Sequence, residues 1–227
     1  MGVEPIWIAL GIAGTCLQVV VIYRMTLGFY RSYPGVFFYL LVLFLTASAD
    51  FAGAMSAEAW GGWYRRIWGF NNIARHFAGI IAVVSLYFHA TLTHPRRSAV
   101  RFRVVLLLLL AVAASLVWNW ADEFEVFYVQ LVGRDMSFVT AVMNLVLWFA
   151  LIRSRSRAAV LFLVSGGLGL NMAGEAIAQS LYSLGLEPRE IASAIGVGSH
   201  LLCLLIWLRA LKVYARSKGL GATTLAG

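Results

Sequence analysis

Seven runs of apolar residues, each long enough to cross a lipid bilayer as a helix, occupy most of this chain and leave it few ways to fold. At 1.5 Å per residue, about 20 residues span the roughly 30 Å of hydrocarbon in a bilayer. The runs extend from Pro5 to Tyr23, Gly35 to Met55, Trp68 to Leu92, Val104 to Trp120, Ser137 to Ile152, Ala158 to Tyr182 and Glu190 to Val213. In lipid every backbone N–H and C=O must bond within its own segment or a closed barrel, so these runs predict helices. The expected fold is all-α: a polytopic membrane protein, a bundle of seven transmembrane helices forming one domain over residues 1–227. Composition agrees, with 61% hydrophobic and 12% charged residues, against about 25% charged in a soluble domain. The first run follows Met1 to Glu4 without a basic n-region or a small-residue cleavage site, and it reads as a retained span.

The charged residues predict an orientation. Arg24 and Arg31 follow the first run, Arg96, Arg97, Arg101 and Arg103 the third, Arg153, Arg155 and Arg157 the fifth, and Arg209, Lys212, Arg216 and Lys218 close the seventh. That places 13 of the 18 basic residues on one side. Arg65, Arg66, Arg75, Arg134 and Arg189 fall on the other, with nine of the ten acids: Glu4, Asp50, Glu58, Asp122, Glu123, Glu125, Asp135, Glu187 and Glu190. The positive-inside rule then puts the N-terminus outside and the C-terminus in the cytoplasm. Trp60, Trp63, Trp68, Trp118 and Trp120 cluster at the outer interface, where amphipathic rings are favoured. The longest links, Ser56 to Ile67 and Ala121 to Met136, are also outer. The tail after Lys218 reads as disordered. A net charge of +8 would suggest nucleic acid in a soluble chain, but here the basic residues flank the spans and meet lipid headgroups. The partners expected are the lipid bilayer and a protein at the basic cytoplasmic face, with no nucleic acid.

The tenth acid is the anomaly. Glu175 lies inside the sixth run, where an ionisable side chain costs about 2.5 to 3.5 kcal/mol to insert and so requires a partner or a wet cavity. Asn171, Glu175 and Gln179, spaced i, i+4, i+8, form one stripe along that helix. Asn72, Arg75, His76 and Gly79 share a face of the third, Asp50 closes the second, and His200 sits near the middle of the seventh. One reading is interhelical glue, with Glu175 paired to Arg75. The other is a polar pocket in the outer half, binding a ligand or sensing protons through Glu175, Arg75, His76, His200, Asn171 and Asp50. In the inner half only His89 and Asn144 would continue a polar path. The rows Ser165, Gly169, Ala173 and Ala192, Gly196 with Ala194, Gly198 predict close packing of the sixth and seventh helices.

Catalytic and metal chemistry find little support. Cys16 and Cys203 lie in spans without CxxC spacing, and no nucleophile or metal constellation is complete. His89 and His200 differ in depth, which argues against haem ligation, and no cofactor is indicated. The seventh run has no mid-helix lysine for a retinal Schiff base, the third ends HATLTHPRR without the acidic-Arg-aromatic triplet of eukaryotic receptors, and SHLLC lacks the His-xxx-His of ceramidase-like zinc hydrolases.

The segments RSYPGVFFYLLVLFL, GRDMSFVTAVMNLVLWFALI and IWLRAL resemble those of uncharacterised seven-span bacterial proteins of about 220 residues, of acidobacterial type. The resemblance implies a multi-pass protein of the bacterial inner membrane and no established activity. The function expected is a sensor, receptor-like or accessory protein acting through a partner; an intramembrane enzyme ranks below a transporter, lacking a complete nucleophile or metal constellation. A small-molecule or proton transporter or channel, and a subunit holding pigment or quinone in a larger complex, are the alternatives.

Overall fold

The computed structural model describes residues 5–55, 62–91, 97–118, 126–153, 159–183 and 189–219. Glu4, Glu58, Trp60, His94, Pro95, Arg96, Trp120, Asp122, Glu123, Glu125, Arg155, Arg157, Glu187 and residues 220–227 lie outside them. Eight helices form among the described residues: α1 (Pro5–Thr26), α2 (Phe29–Ser32), α3 (Pro34–Met55), α4 (Gly62–Ala90), α5 (Arg97–Trp118), α6 (Val126–Arg153), α7 (Ala159–Ser183) and α8 (Arg189–Ser217). All but α2 are long and apolar enough to cross a membrane, which makes this a multi-pass membrane protein.

The helices outrun the apolar segments, most of all in α5 and α6. The fifth run begins at Ser137, whereas α6 begins at Val126 and carries Arg134 and Asp135 within it, ion-paired at 2.9 Å. The fourth begins at Val104, whereas α5 opens at Arg97. Apolar runs mark only the hydrocarbon layer, while helical hydrogen bonding continues through the interface. Arg101 shows how: its guanidinium donates to the Phe88 carbonyl at 2.9 Å and lies 4.9 Å over the Phe88 ring, covering the last turn of α4. That turn presents unsatisfied carbonyls, which a cation complements.

Contacts between helices set the architecture. Six long helices close a ring in the order α1, α3, α4, α6, α7, α8, and α5 packs outside it against α4 and α6. Leu106, Leu107, Leu109 and Leu110 of α5 are exposed accordingly. Across the ring α4 touches α7. There Gly79 leaves room for the Met172 sulfur, which a Cβ at that position would meet at 3.1 Å. This strut divides the ring into a triangle of α4, α6 and α7 and a wider pentagon of α1, α3, α4, α7 and α8.

The triangle and the α7–α8 seam are dense because α7 is rich in small residues. Gly166 receives the Trp148 indole, Gly167 that of Trp207, Gly169 the Asn144 amide and Gly174 the Ser199 side chain. The donors brought in are satisfied: Trp207 Nε1 donates to the Val164 carbonyl at 2.9 Å, Trp148 Nε1 to Ser165 Oγ at 2.9 Å and Asn144 Nδ2 to the Ser165 carbonyl at 2.7 Å, while Asn144 Oδ1 is buried without a partner among the described residues. The small-residue rows therefore do not all serve the α7–α8 contact. Ser165 and Gly169 face α6, Gly196 faces Ala178, and Gly198 has no neighbour where a Cβ would stand. At 100° per residue one helix offers small residues to two neighbours on different faces.

At the end of the bundle where α1 finishes, Gly28 takes a φ of 117°, open to glycine, and turns the chain into α2. The Phe29 and Tyr33 rings stack at 4.7 Å, Tyr33 lies 4.7 Å from the His89 ring, and Ser32 shares a 2.9 Å hydrogen bond with the Tyr214 hydroxyl. Burial, and less strongly Tyr214, push the Tyr33 hydroxyl up to about 12. His89 thus belongs to this aromatic closure of the bundle and is not brought together with His200.

Candidate functional site

The pentagon is not filled. It encloses a cavity of about 800 Å³, within the range of small-molecule sites. Leu10, Gly11, Gly14 and Thr15 of α1 and Leu43, Ala47 and Phe51 of α3 form mostly apolar walls, with Gly196, Val197 and Leu201 of α8 opposite. Its polar groups come from helices that the sequence separates widely: Tyr39 on α3, Arg75 and His76 on α4, Asn171 and Glu175 on α7, and His200 on α8. Five of the six expected site residues therefore line one cavity. The sixth, Asp50, does not line it but bonds to one that does.

That bond corrects the expected pairing. Arg75 is ion-paired with Asp50, Nη2 to Oδ2 at 2.8 Å, and not with Glu175. Asn71 Nδ2 donates to the other Asp50 oxygen at 2.7 Å, and Arg75 Nε donates to the Asn71 carbonyl at 3.3 Å. The physical reason lies in the ring order. Helix α3 is the direct antiparallel neighbour of α4, whereas α7 approaches α4 only across the strut at Gly79, one turn deeper than Arg75.

Glu175 is left with a neutral partner. Gln179, one turn along the stripe, donates to Oε1 at 3.2 Å, and no cation pairs with Glu175 among the described residues. The next turn of the stripe carries Asn171, whose Nδ2 donates to the Tyr39 hydroxyl at 2.7 Å. This contact ties α7 to α3 at the bottom of the cavity, and the Tyr39 ring packs edge-on against Trp207, 6.2 Å away. Below it Val36, Leu40, Leu168, Leu204 and Trp207 are completely buried. Tyr39→Phe leaves the buried Asn171 amide without its acceptor, and a loss of about 1 to 2 kcal/mol is expected in a denaturant titration of the purified protein. An unchanged midpoint would mean that this bond holds nothing.

His76 has a divided environment. It is 3% exposed, its Nδ1 shares a 2.9 Å hydrogen bond with Ser137 Oγ of α6, and its Nε2 has no partner among the described residues. A Cβ at Gly133 would meet that Nε2 at 2.7 Å, so glycine is what admits the ring. Asn72 turns away from the cavity and donates to the Val129 carbonyl at 3.5 Å, so the expected face of Asn72, Arg75, His76 and Gly79 is shared among α3, α6 and α7. Both His76 and His200 lie within electrostatic reach of Glu175 and Arg75. The cavity is therefore one electrostatic unit. No group of three or more His, Cys, Asp or Glu side chains suited to a metal gathers among the described residues.

Sequence reasoning missed Tyr39, Thr15, Cys16, Gln18 and Ser48, all of which line the cavity. Tyr39 sits in an aromatic run, FFYLL, where a phenol hydroxyl does not stand out from packing. The signal available was that a tyrosine more than one turn inside a span requires a hydrogen-bond partner.

No protein-family model, curated protein or solved structure matches the chain.

Proposed function

We propose that this protein is a sensor or receptor-like accessory protein of the bacterial inner membrane that takes a small ligand into the pentagon cavity and acts through a partner. The observation that carries the reading is the convergence of Arg75, His76, Asn171, Glu175 and His200, from three helices, on one cavity of about 800 Å³. Ionisable groups inside a span are costly and mark binding sites and pathways. A bundle that needed only rigidity would have filled this volume with side chains, as the adjoining triangle does.

The charge ledger supports an orientation in which the N-terminus and the polar half of the cavity face outward and the C-terminus lies in the cytoplasm. The basic ends of α1, α4, α6 and α8 would then meet a protein partner or anionic lipid. The closed floor beneath Tyr39 favours binding over conduction. Asn144 bonds to the Ser165 carbonyl and His89 packs on Tyr33, so neither extends the polar lining through the bundle.

The test is to draw the protein from the membrane in polymer nanodiscs and identify by mass spectrometry and absorption what travels with it. A compound present in about equimolar amount in the wild type, and about tenfold depleted in Ala47→Trp, which fills the cavity from α3, is the expected result. Equal occupancy in both proteins would place the compound elsewhere and remove the reading. A bound chromophore would instead favour a pigment- or quinone-holding subunit.

A further inference from the structure

The charges around the cavity do not balance, and the imbalance selects a ligand. Arg75 and Asp50 cancel one another through their 2.8 Å pair, and both Asp50 oxygens are occupied, one by Arg75 and one by Asn71. Glu175 remains. Its Oε1 accepts from Gln179, a neutral amide, and its second oxygen has no partner among the described residues. With both imidazoles neutral the cavity carries a formal charge of −1, held on a side chain that lines it. A carboxylate so placed, with mostly apolar walls around it, is stabilised by a cation that enters with its own apolar body. The His200 imidazole lines the same cavity and supplies a nitrogen there, whereas both His76 nitrogens face α6, Nδ1 on Ser137 and Nε2 against Gly133. An anionic ligand would have to displace Asp50 from Arg75 while facing Glu175.

We infer that the ligand is a lipophilic amine: a protonated nitrogen with N–H donors, set on Glu175 and a neutral imidazole, carried by an apolar body lying between α1 and α3. This rests on the cavity being a ligand site, as proposed above. A primary or secondary ammonium fits better than a quaternary one, because two or three donors meet the Glu175 carboxylate and an imidazole lone pair together. The walls specify the rest of the molecule only as apolar and of drug-like size.

Cys16 provides the readout. It lines the cavity and is exposed, whereas Cys203, the other cysteine, is buried. A ligand in the cavity therefore slows alkylation of Cys16 by N-ethylmaleimide. Three probes with one body, 4-phenylbutylamine, 4-phenylbutanol and 4-phenylbutyrate, would be compared on the full-length protein in nanodiscs at about pH 7.5, where the first is cationic and the last anionic. The expected result is half-protection by the amine at a concentration about tenfold or more below either of the others, with that advantage lost in Glu175→Gln. The wild-type comparison decides the question even if Glu175→Gln does not fold. Equal protection by all three, or best protection by the carboxylate, overturns the amine assignment and leaves the cavity as a binding site. No protection by any probe, together with no compound lost from Ala47→Trp in the nanodisc experiment, overturns both.

Discussion

Gly174→Leu is expected to yield no monodisperse protein on extraction, and Gly174→Ala to lose about 1 to 3 kcal/mol of stability, the range for overpacking a filled interior. The expectation follows from the close approach of α7 and α8 at this glycine. A Cβ at Gly174 would collide with Cβ and Oγ of Ser199, and behind them stands the Ile195 carbonyl of α8 at 3.4 Å. Ser199 is 8% exposed and its hydroxyl donates to the Gly196 carbonyl at 2.9 Å, so moving its side chain aside breaks that bond. The α7–α8 seam is one side of the pentagon, and α7 also borders the triangle, so a wedge that shifts α7 disturbs both. Specificity is checked by a second change: Gly174→Ala with Ser199→Gly exchanges the two volumes and should recover most of the loss. Thermal unfolding followed by size-exclusion chromatography measures all three proteins. A Gly174→Ala variant as stable as the wild type, or a double variant no better than the single, would show that the helices separate at little cost.

Much of this architecture was legible in the sequence. Seven apolar runs predict seven spanning helices because lipid removes every backbone alternative, and the one acid inside a run and away from both surfaces drew attention to Glu175 before any contact was known. The spacing of Asn171, Glu175 and Gln179 also survives: all three lie on one stripe, though Gln179 serves Glu175 and Asn171 serves Tyr39. What hydropathy could not supply was the order of helices around the ring. Depth along each span was estimable from residue counts, and it put Arg75 level with both Glu175 and Asp50. Only lateral adjacency distinguishes them, and that depends on which faces carry glycine. Gly79 admits Met172, Gly133 admits His76, and the α7 glycines admit two tryptophans. Each is a close approach whose partner sits on another helix, so none is visible in a single run of sequence.

The Arg75–Asp50 pair separates these levels of explanation energetically. Arg75→Met should cost about 2 to 3 kcal/mol, because it leaves Asp50 with only the Asn71 amide in a region where an unpaired charge is expensive to insert. The side chains are 26% and 20% exposed, which keeps the figure below that of a fully buried pair. Asp50→Asn should cost a similar amount by stranding the guanidinium, its remaining hydrogen bond being the 3.3 Å contact to the Asn71 carbonyl one turn back on its own helix. The double variant Arg75→Met with Asp50→Asn removes both charges together and should recover most of either loss. A coupling of about 2 kcal/mol in this double-mutant cycle, measured by denaturant titration in detergent, is the expected outcome. Additive losses would mean that each charge is solvated independently and that the pair holds neither helix. In that case Arg75 would be available to an anion, and the charge balance that points to an amine would no longer hold. The cycle therefore tests the stability of the α3–α4 contact and the premise on which the ligand assignment depends.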